Sequence, residues 1–218
     1  MIKLFISVYD RPEYLQTSLD SLLESFSAIY PEIIITDDGS TDPSVALVLS
    51  QFKLAYQGEC SIVTQENKGI PLGKLDTIYT EVKTWLYIEE YFIISDSDMI
   101  YKKGWLEELV YLYEQTKTPL VTGFNTETNR HETTSTTGHY AVKSSVGGCN
   151  ILVNTKFYLQ RPFRESKEWD FRMCERAHEQ HPLGVISAKP SVVDHIGIKG
   201  KWARENYHDK AIDFKENI

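Results

Sequence analysis

Cysteine is scarce in this chain: only Cys60, Cys149 and Cys174 occur among 218 residues. The number is odd, the spacing is wide and no C-x-x-C pair exists, so the sequence writes neither a disulfide framework nor a cysteine zinc site. Free thiols suit a reducing compartment, and a cytoplasmic location is the expectation. No apolar run approaches the ~20 residues of a membrane span. The first apolar segment, Ile2 to Val8, is short, contains Lys3 and lacks a cleavage pattern. It reads as a strand, not as a secretory leader. Positive charge is also short: 23 basic against 31 acidic residues leave a formal charge of −8. That argues against nucleic-acid or anionic-membrane binding by general electrostatics. A local basic pocket for a phosphorylated ligand stays open.

The chain has ample core-forming material. At 41% hydrophobic and 12% aromatic residues it suits one globular domain. Strand-like and helix-like patterns alternate through the first half. Ile2 to Val8, Ile33 to Ile35, Ser61 to Thr64 and Tyr91 to Ile94 read as short strands. Asp10-Arg11-Pro12 opens a helix with leucines at helical spacing, and Val45 to Leu54, Pro71 to Trp85 and Gly104 to Gln115 follow as helices. This order predicts an α/β fold, a mainly parallel mixed sheet flanked by helices. Ligands on such sheets sit beyond the carboxyl ends of the strands. Asn125 to His139 is polar, threonine-rich and without apolar periodicity, which predicts a lid, a binding loop or disorder. Val146 to Val153 reads as a strand, Glu168 to His178 as a helix and Val185 to Ser187 as a late strand. The tail after Trp202 is polar and is expected to be partly disordered.

Three acidic clusters fall at predicted strand ends: Asp10, Asp37-Asp38 and Asp96-Ser97-Asp98. In a parallel sheet those ends share one edge, so the clusters should meet in one cleft. Each has a plainer explanation alone, as a helix cap or a turn. Asp96 and Asp98 are the sharpest case, because two carboxylates this close raise each other's pKa unless a positive charge lies between them. Hard oxygen ligands suit Mg²⁺ or Mn²⁺.

The segments Ile6 to Leu15, Ile35-Thr36-Asp37-Asp38-Gly39-Ser40-Thr41-Asp42, Asn67-Lys68-Gly69 and Asp96-Ser97-Asp98 together resemble the family 2 glycosyltransferases with the GT-A fold. The resemblance runs through roughly the first half. More loosely, Gly147-Gly148-Cys149-Asn150 resembles that family's acceptor-side strand, and Lys167-Glu168-Trp169-Asp170-Phe171 its E-D-x-D-L segment. It implies a single catalytic domain, with a donor half at about 1–100, an acceptor half at about 101–202 and a polar tail at 203–218. The implied partners are a nucleotide-sugar donor, UDP-sugar favoured, and a glycan or other hydroxyl acceptor.

The resemblance also assigns residues. Tyr9, Asp10, Arg11, Asp38, Lys74, Asp96, Ser97 and Lys201 are the expected donor contacts. A carboxylate such as Asp38 can accept from uracil N3–H, and Tyr9 would stack on the base or line its pocket. Lys74 would meet the pyrophosphate or support the base-binding carboxylate. Asp98 would bind Mn²⁺ or Mg²⁺ directly, Asp96 the ribose or a metal-bound water, and His195 would be a further ligand. Sugar transfer with inversion needs a carboxylate to take the acceptor proton, and Glu168 or Asp170 would fill that role. Two other classes compete. A sugar-phosphate nucleotidyltransferase would place a glycine-rich loop after the first strand, where Ser7-Val8-Tyr9-Asp10-Arg11 has no glycine. A catalytically silent binding module would not need to keep the acidic set.

Overall fold

The computed structural model describes residues 2–84, 90–127, 130–161, 163–164, 166–198 and 209–215. Its first half alternates β1 (Lys3–Val8), α1 (Pro12–Ser25), β2 (Glu32–Asp37), α2 (Pro43–Ala55), β3 (Cys60–Thr64), α3 (Leu72–Val82) and β4 (Tyr91–Asp96). Then come β5 (Met99–Tyr101), α4 (Trp105–Thr116), β6 (Leu120–Thr122), β7 (Thr133–Thr136), β8 (Tyr140–Lys143) and β9 (Asn150–Asn154). The chain closes with α5 (Thr155–Gln160), α6 (Trp169–Gln180), β10 (Val185–Ala188) and β11 (Val193–His195). Nine strands form one sheet in the order β3-β2-β1-β4-β9-β6-β10-β8-β7, and β11 pairs with β5 in a separate ribbon.

The sheet's first four strands are parallel. From β9 onward antiparallel pairs enter, with β6 and β10 again parallel. The two faces follow from the period of a strand. Leu4, Ile6, Val8, Ile33, Ile35 and Ile93 point to one face and pack with α1, α2 and α4. Phe5, Ile34, Phe92 and Ile94 point to the other and pack with α3, α5 and α6. Strands buried on both faces explain why these runs read as continuously apolar.

Three expectations change. Residues 146–149 form no strand; β9 starts at Asn150, because the chain at Gly148 is drawn to α3 and α6, as described below. The polar stretch from Asn125 to His139 is not without structure. Its Thr133–Thr136 segment is the edge strand β7, paired antiparallel with β8, and Asn125 and Thr126 are buried. Fully buried Lys143 of β8 explains the ordering: its Nζ donates to Asn125 Oδ1 at 3.1 Å, to the Thr126 carbonyl at 2.7 Å and to Thr133 Oγ1 at 2.8 Å. The described part of the tail is tied down as well. Ala211 N donates to Asp194 Oδ1 at 2.8 Å, Ile212 N to the Asn125 carbonyl at 2.9 Å, and Ser191 N to Asp213 Oδ1 at 2.9 Å.

Candidate active site

Parallel pairing of β2, β1 and β4 brings the acidic clusters to one edge. Asp10 and Arg11 follow β1 with φ of 49° and 59°, a left-handed pair that costs non-glycine residues about 1–3 kcal/mol each. Specific contacts hold it. Asp10 Oδ1 accepts from Thr41 N at 2.7 Å and Asp42 N at 3.0 Å, and Asp10 N donates to Ser40 Oγ at 2.8 Å. The Asp42 and Thr41 amides outweigh burial and hold the Asp10 carboxyl below its ordinary value. Asp10 therefore joins two loops instead of capping α1. Tyr9 beside it is exposed.

Asp38 is buried under the loop after β3. Its Oδ1 accepts from Gln65 Nε2 at 2.7 Å and Lys68 N at 3.0 Å, and its Oδ2 from Gly69 N at 2.9 Å. The carboxylate lies against Gly73, where a Cβ would stand 2.2 Å from Oδ2. Asp38 thus shapes the Asn67-Lys68-Gly69 turn, and Oδ2 keeps a lone pair for one more donor.

The two carboxylates after β4 diverge. Asp96 forms an ion pair with buried Lys74 of α3. Lys74 thus pairs with Asp96 and not with Asp38, the carboxylate expected to read the base, which is held by Gln65 and the Lys68 and Gly69 amides. The same ammonium donates to the Gly148 carbonyl at 2.5 Å and lies 5.3 Å from the ring centre of Trp169. Asp98 Oδ2 accepts from Arg11 Nη1 at 2.8 Å and stands 3.4 Å from His195 Nε2. Burial, opposed by Lys74 and reinforced by the Asp98 charge, pushes the Asp96 carboxyl up. Burial acts on Asp98 too, but the His195 hydrogen bond and charge, with Arg11, bring it down overall. Ser97 between them is buried.

His195 reaches Asp98 through the ribbon. Met99 of β5 pairs with His195 of β11, and Ile196 N donates to the Asp98 carbonyl at 2.9 Å. Burial alone would lower the His195 pKa; the Asp98 hydrogen bond and charge raise it overall. Its Nδ1 lies 3.3 Å from the Asp209 carbonyl. A carbonyl only accepts, so Nδ1 carries a proton there and Nε2 is the atom presented to Asp98.

Among the described residues no three His, Cys, Asp or Glu side chains cluster as a ready ligand set. The Asp98–His195 pair nevertheless fits a divalent cation. A carboxylate oxygen and an imidazole nitrogen face each other at ligand spacing, and the outer ring nitrogen is held by a carbonyl, as in many histidine metal sites. Gly197 leaves the space open: a Cβ there would stand 2.1 Å from Asp98 Oδ2 and 2.9 Å from His195 Nε2.

Glu168 and Asp170, the two acids expected on the acceptor side, flank Trp169 at the start of α6. Glu168 is the exposed N-cap residue and makes no side-chain cap, whereas Asp170 Oδ1 accepts from its own neighbour Phe171 N at 2.9 Å. Glu168 lines a cleft of about 230 Å³ with Arg130, Phe171, Arg172 and Glu175. Arg130 lies over one side of the Phe171 ring at 5.3 Å, and the ring of buried His131 stacks with it at 5.5 Å. Lys201 lies outside the described residues. Sequence reading placed Gly148 and Trp169 in motif segments without a role of their own and missed the Asp209 carbonyl, because their contacts run across the fold.

Among the described residues no helix is long and apolar enough to cross a membrane. No curated protein sequence matches the chain. Solved structures with a similar fold include S. aureus TarS residues 1–349 (13% identity, TM-score 0.60, covering 85% of this chain and 57% of that one). They also include GalNAc-T7 with UDP, GalNAc and Mn²⁺ (12% identity, TM-score 0.62, covering 86% and 43%). The chain spans about half the length of these structures, and the likeness is one of fold, an α/β GT-A architecture. The family model described as Glycosyl transferase family 2 matches residues 4–175, and the chain belongs to that family.

Proposed function

We propose that the protein transfers a sugar from a nucleotide-sugar donor, UDP-sugar favoured, to a hydroxyl of a glycan or other acceptor, with inversion and with a divalent cation. The observation that carries this reading is the meeting of Asp98 and His195 over Gly197, at the sheet edge that also holds Asp10, Asp38 and Asp96. An imidazole in the ligand set favours Mn²⁺ over Mg²⁺, and UDP with Mn²⁺ is what the GalNAc-T7 structure holds. When bound, the cation would supply positive charge against the departing diphosphate.

The chain's own groups do the rest. Asp38 Oδ2 receives the uracil N–H, and Tyr9 lines the base. Asp96 takes a ribose hydroxyl or a metal-bound water. Glu168 is the general base, because its carboxylate is exposed and is not spent on its own helix, as Asp170's partly is. It takes the proton from the acceptor hydroxyl as that oxygen bonds to the anomeric carbon. The bond from that carbon to the diphosphate oxygen breaks on the opposite face, and its electron pair leaves with the nucleotide.

A thermal-shift panel of UDP-, GDP- and dTDP-sugars, with and without Mn²⁺, tests the reading. A UDP-sugar with Mn²⁺ at about 100 times its Kd should add about 2.7 kcal/mol of stability. No stabilisation by any of these donors would overturn it.

A further inference from the structure

The mechanism leaves one cluster unused: the buried ammonium of Lys74 and the indole of Trp169. Lys74 is 4% exposed and Trp169 also 4%. From Lys74 the contacts close a ring. The ammonium pairs with Asp96 and donates to the Gly148 carbonyl. Trp169 packs onto Gly148 so closely that a Cβ there would stand 2.1 Å from its ring. One residue on, the Cys149 carbonyl accepts from Asp96 N at 2.8 Å. Trp169 is also the first residue of α6, between Glu168 and Asp170.

We infer that Lys74 and Trp169 are positioning residues that couple occupancy of Asp96 to the placement of the base at the start of α6. The base assignment rests on the proposed function; the coupling rests on the contacts alone. A ligand that engages Asp96 competes for Lys74's strongest partner. The ammonium is then left with the Gly148 carbonyl and the indole face, and a desolvated cation on a tryptophan face is strongly held. The first turn of α6, with Glu168 and Asp170 on either side of that indole, must adjust.

Hydrogen exchange at residues 168–173 tests this. In the ligand-free protein, Asp96→Asn should change exchange there about fivefold or more. Asp98→Asn, whose partners are Arg11 and His195, should not. In the wild type, UDP with Mn²⁺ should change exchange in the same turn. At saturating UDP, Trp169→Leu should abolish that response, and Trp169→Phe, which keeps a ring over Lys74, should restore it. Unchanged exchange in Asp96→Asn, or an equal change in Asp98→Asn, would overturn the coupling. So would a UDP response that survives in Trp169→Leu. If Asp96→Asn does not fold, Lys74→Met read at the same turn takes its place, with the same expected change and the same overturning result. Absence of UDP binding would count against the donor reading alone, since the ligand-free arm decides the coupling without it.

Discussion

His195 Nε2 stands 3.4 Å from Asp98 Oδ2, although nearly half the chain separates the two residues. The pairing of β5 with β11 fixes that approach in the backbone, through the Met99–His195 register and the bond from Ile196 N to the Asp98 carbonyl. Arg11, in its left-handed conformation just before α1, donates to the same Asp98 oxygen at 2.8 Å. A carboxylate gripped by an arginine and an imidazole keeps its negative charge.

Asp38 should have a double role. Asp38→Ala should weaken UDP binding by about 1.5–3 kcal/mol, the range for a hydrogen bond to a charged group. It should also speed amide exchange at Lys68 and Gly69, whose N–H groups lose their acceptor. Calorimetric titration with UDP and residue-resolved exchange check the two effects separately. An unchanged UDP affinity with fast exchange would leave Asp38 a loop anchor only.

Asp76 on α3 gives an acid-sensitive tie. Its carboxylate accepts from Arg164 Nε at 2.8 Å and from Lys68 Nζ at 3.2 Å. Burial tends to raise its pKa, but these two partners lower it overall. A folded-state pKa below the unfolded one, about 3.9, contributes stability that is present above that value and is lost as pH falls through the lower folded value. Asp76→Asn should cost on the order of 1 kcal/mol at neutral pH. It should also flatten the fall in stability below about pH 4. Denaturant melts across that range check it; parallel curves for the two proteins would contradict it.

The acceptor side is tested by a matched pair of variants. Glu168→Gln keeps size and most hydrogen bonding but cannot take a proton. It should lower transfer by about 10²–10⁴-fold and leave donor affinity nearly unchanged. Asp170→Asn should have the smaller effect. The reverse result would move the base to Asp170, and normal turnover in both would remove the inverting mechanism.

Much of the parallel half was legible in the sequence. Short runs such as Phe5-Ile6 and Ile33-Ile34-Ile35 are apolar on both faces, and leucines in α1 repeat at helical spacing. The strand-end acids were legible for the same reason, since a parallel sheet must bring those ends together. Partners were harder to read. Lys74 was visible as a lysine near a helix start, but its choice of Asp96 depends on how α3 packs on the sheet. The β5–β11 ribbon was hidden because each strand is three residues long and the pairing is long-range. The threonine-rich β7 has no hydrophobic alternation, as it lies on the solvated edge of the sheet. The segment around Asp213 is polar because its anchors are hydrogen bonds to Ser191 and Asn125, not a buried apolar face.

The most direct test of the account is calorimetric titration of UDP into the wild type and Asp98→Asn, each with and without Mn²⁺. The wild type should bind UDP at least about tenfold more tightly with Mn²⁺, a gain of about 1.4 kcal/mol. Asp98→Asn should lose that gain and keep its melting transition. Equal Mn²⁺-dependent affinity in both proteins would contradict a cation held by Asp98.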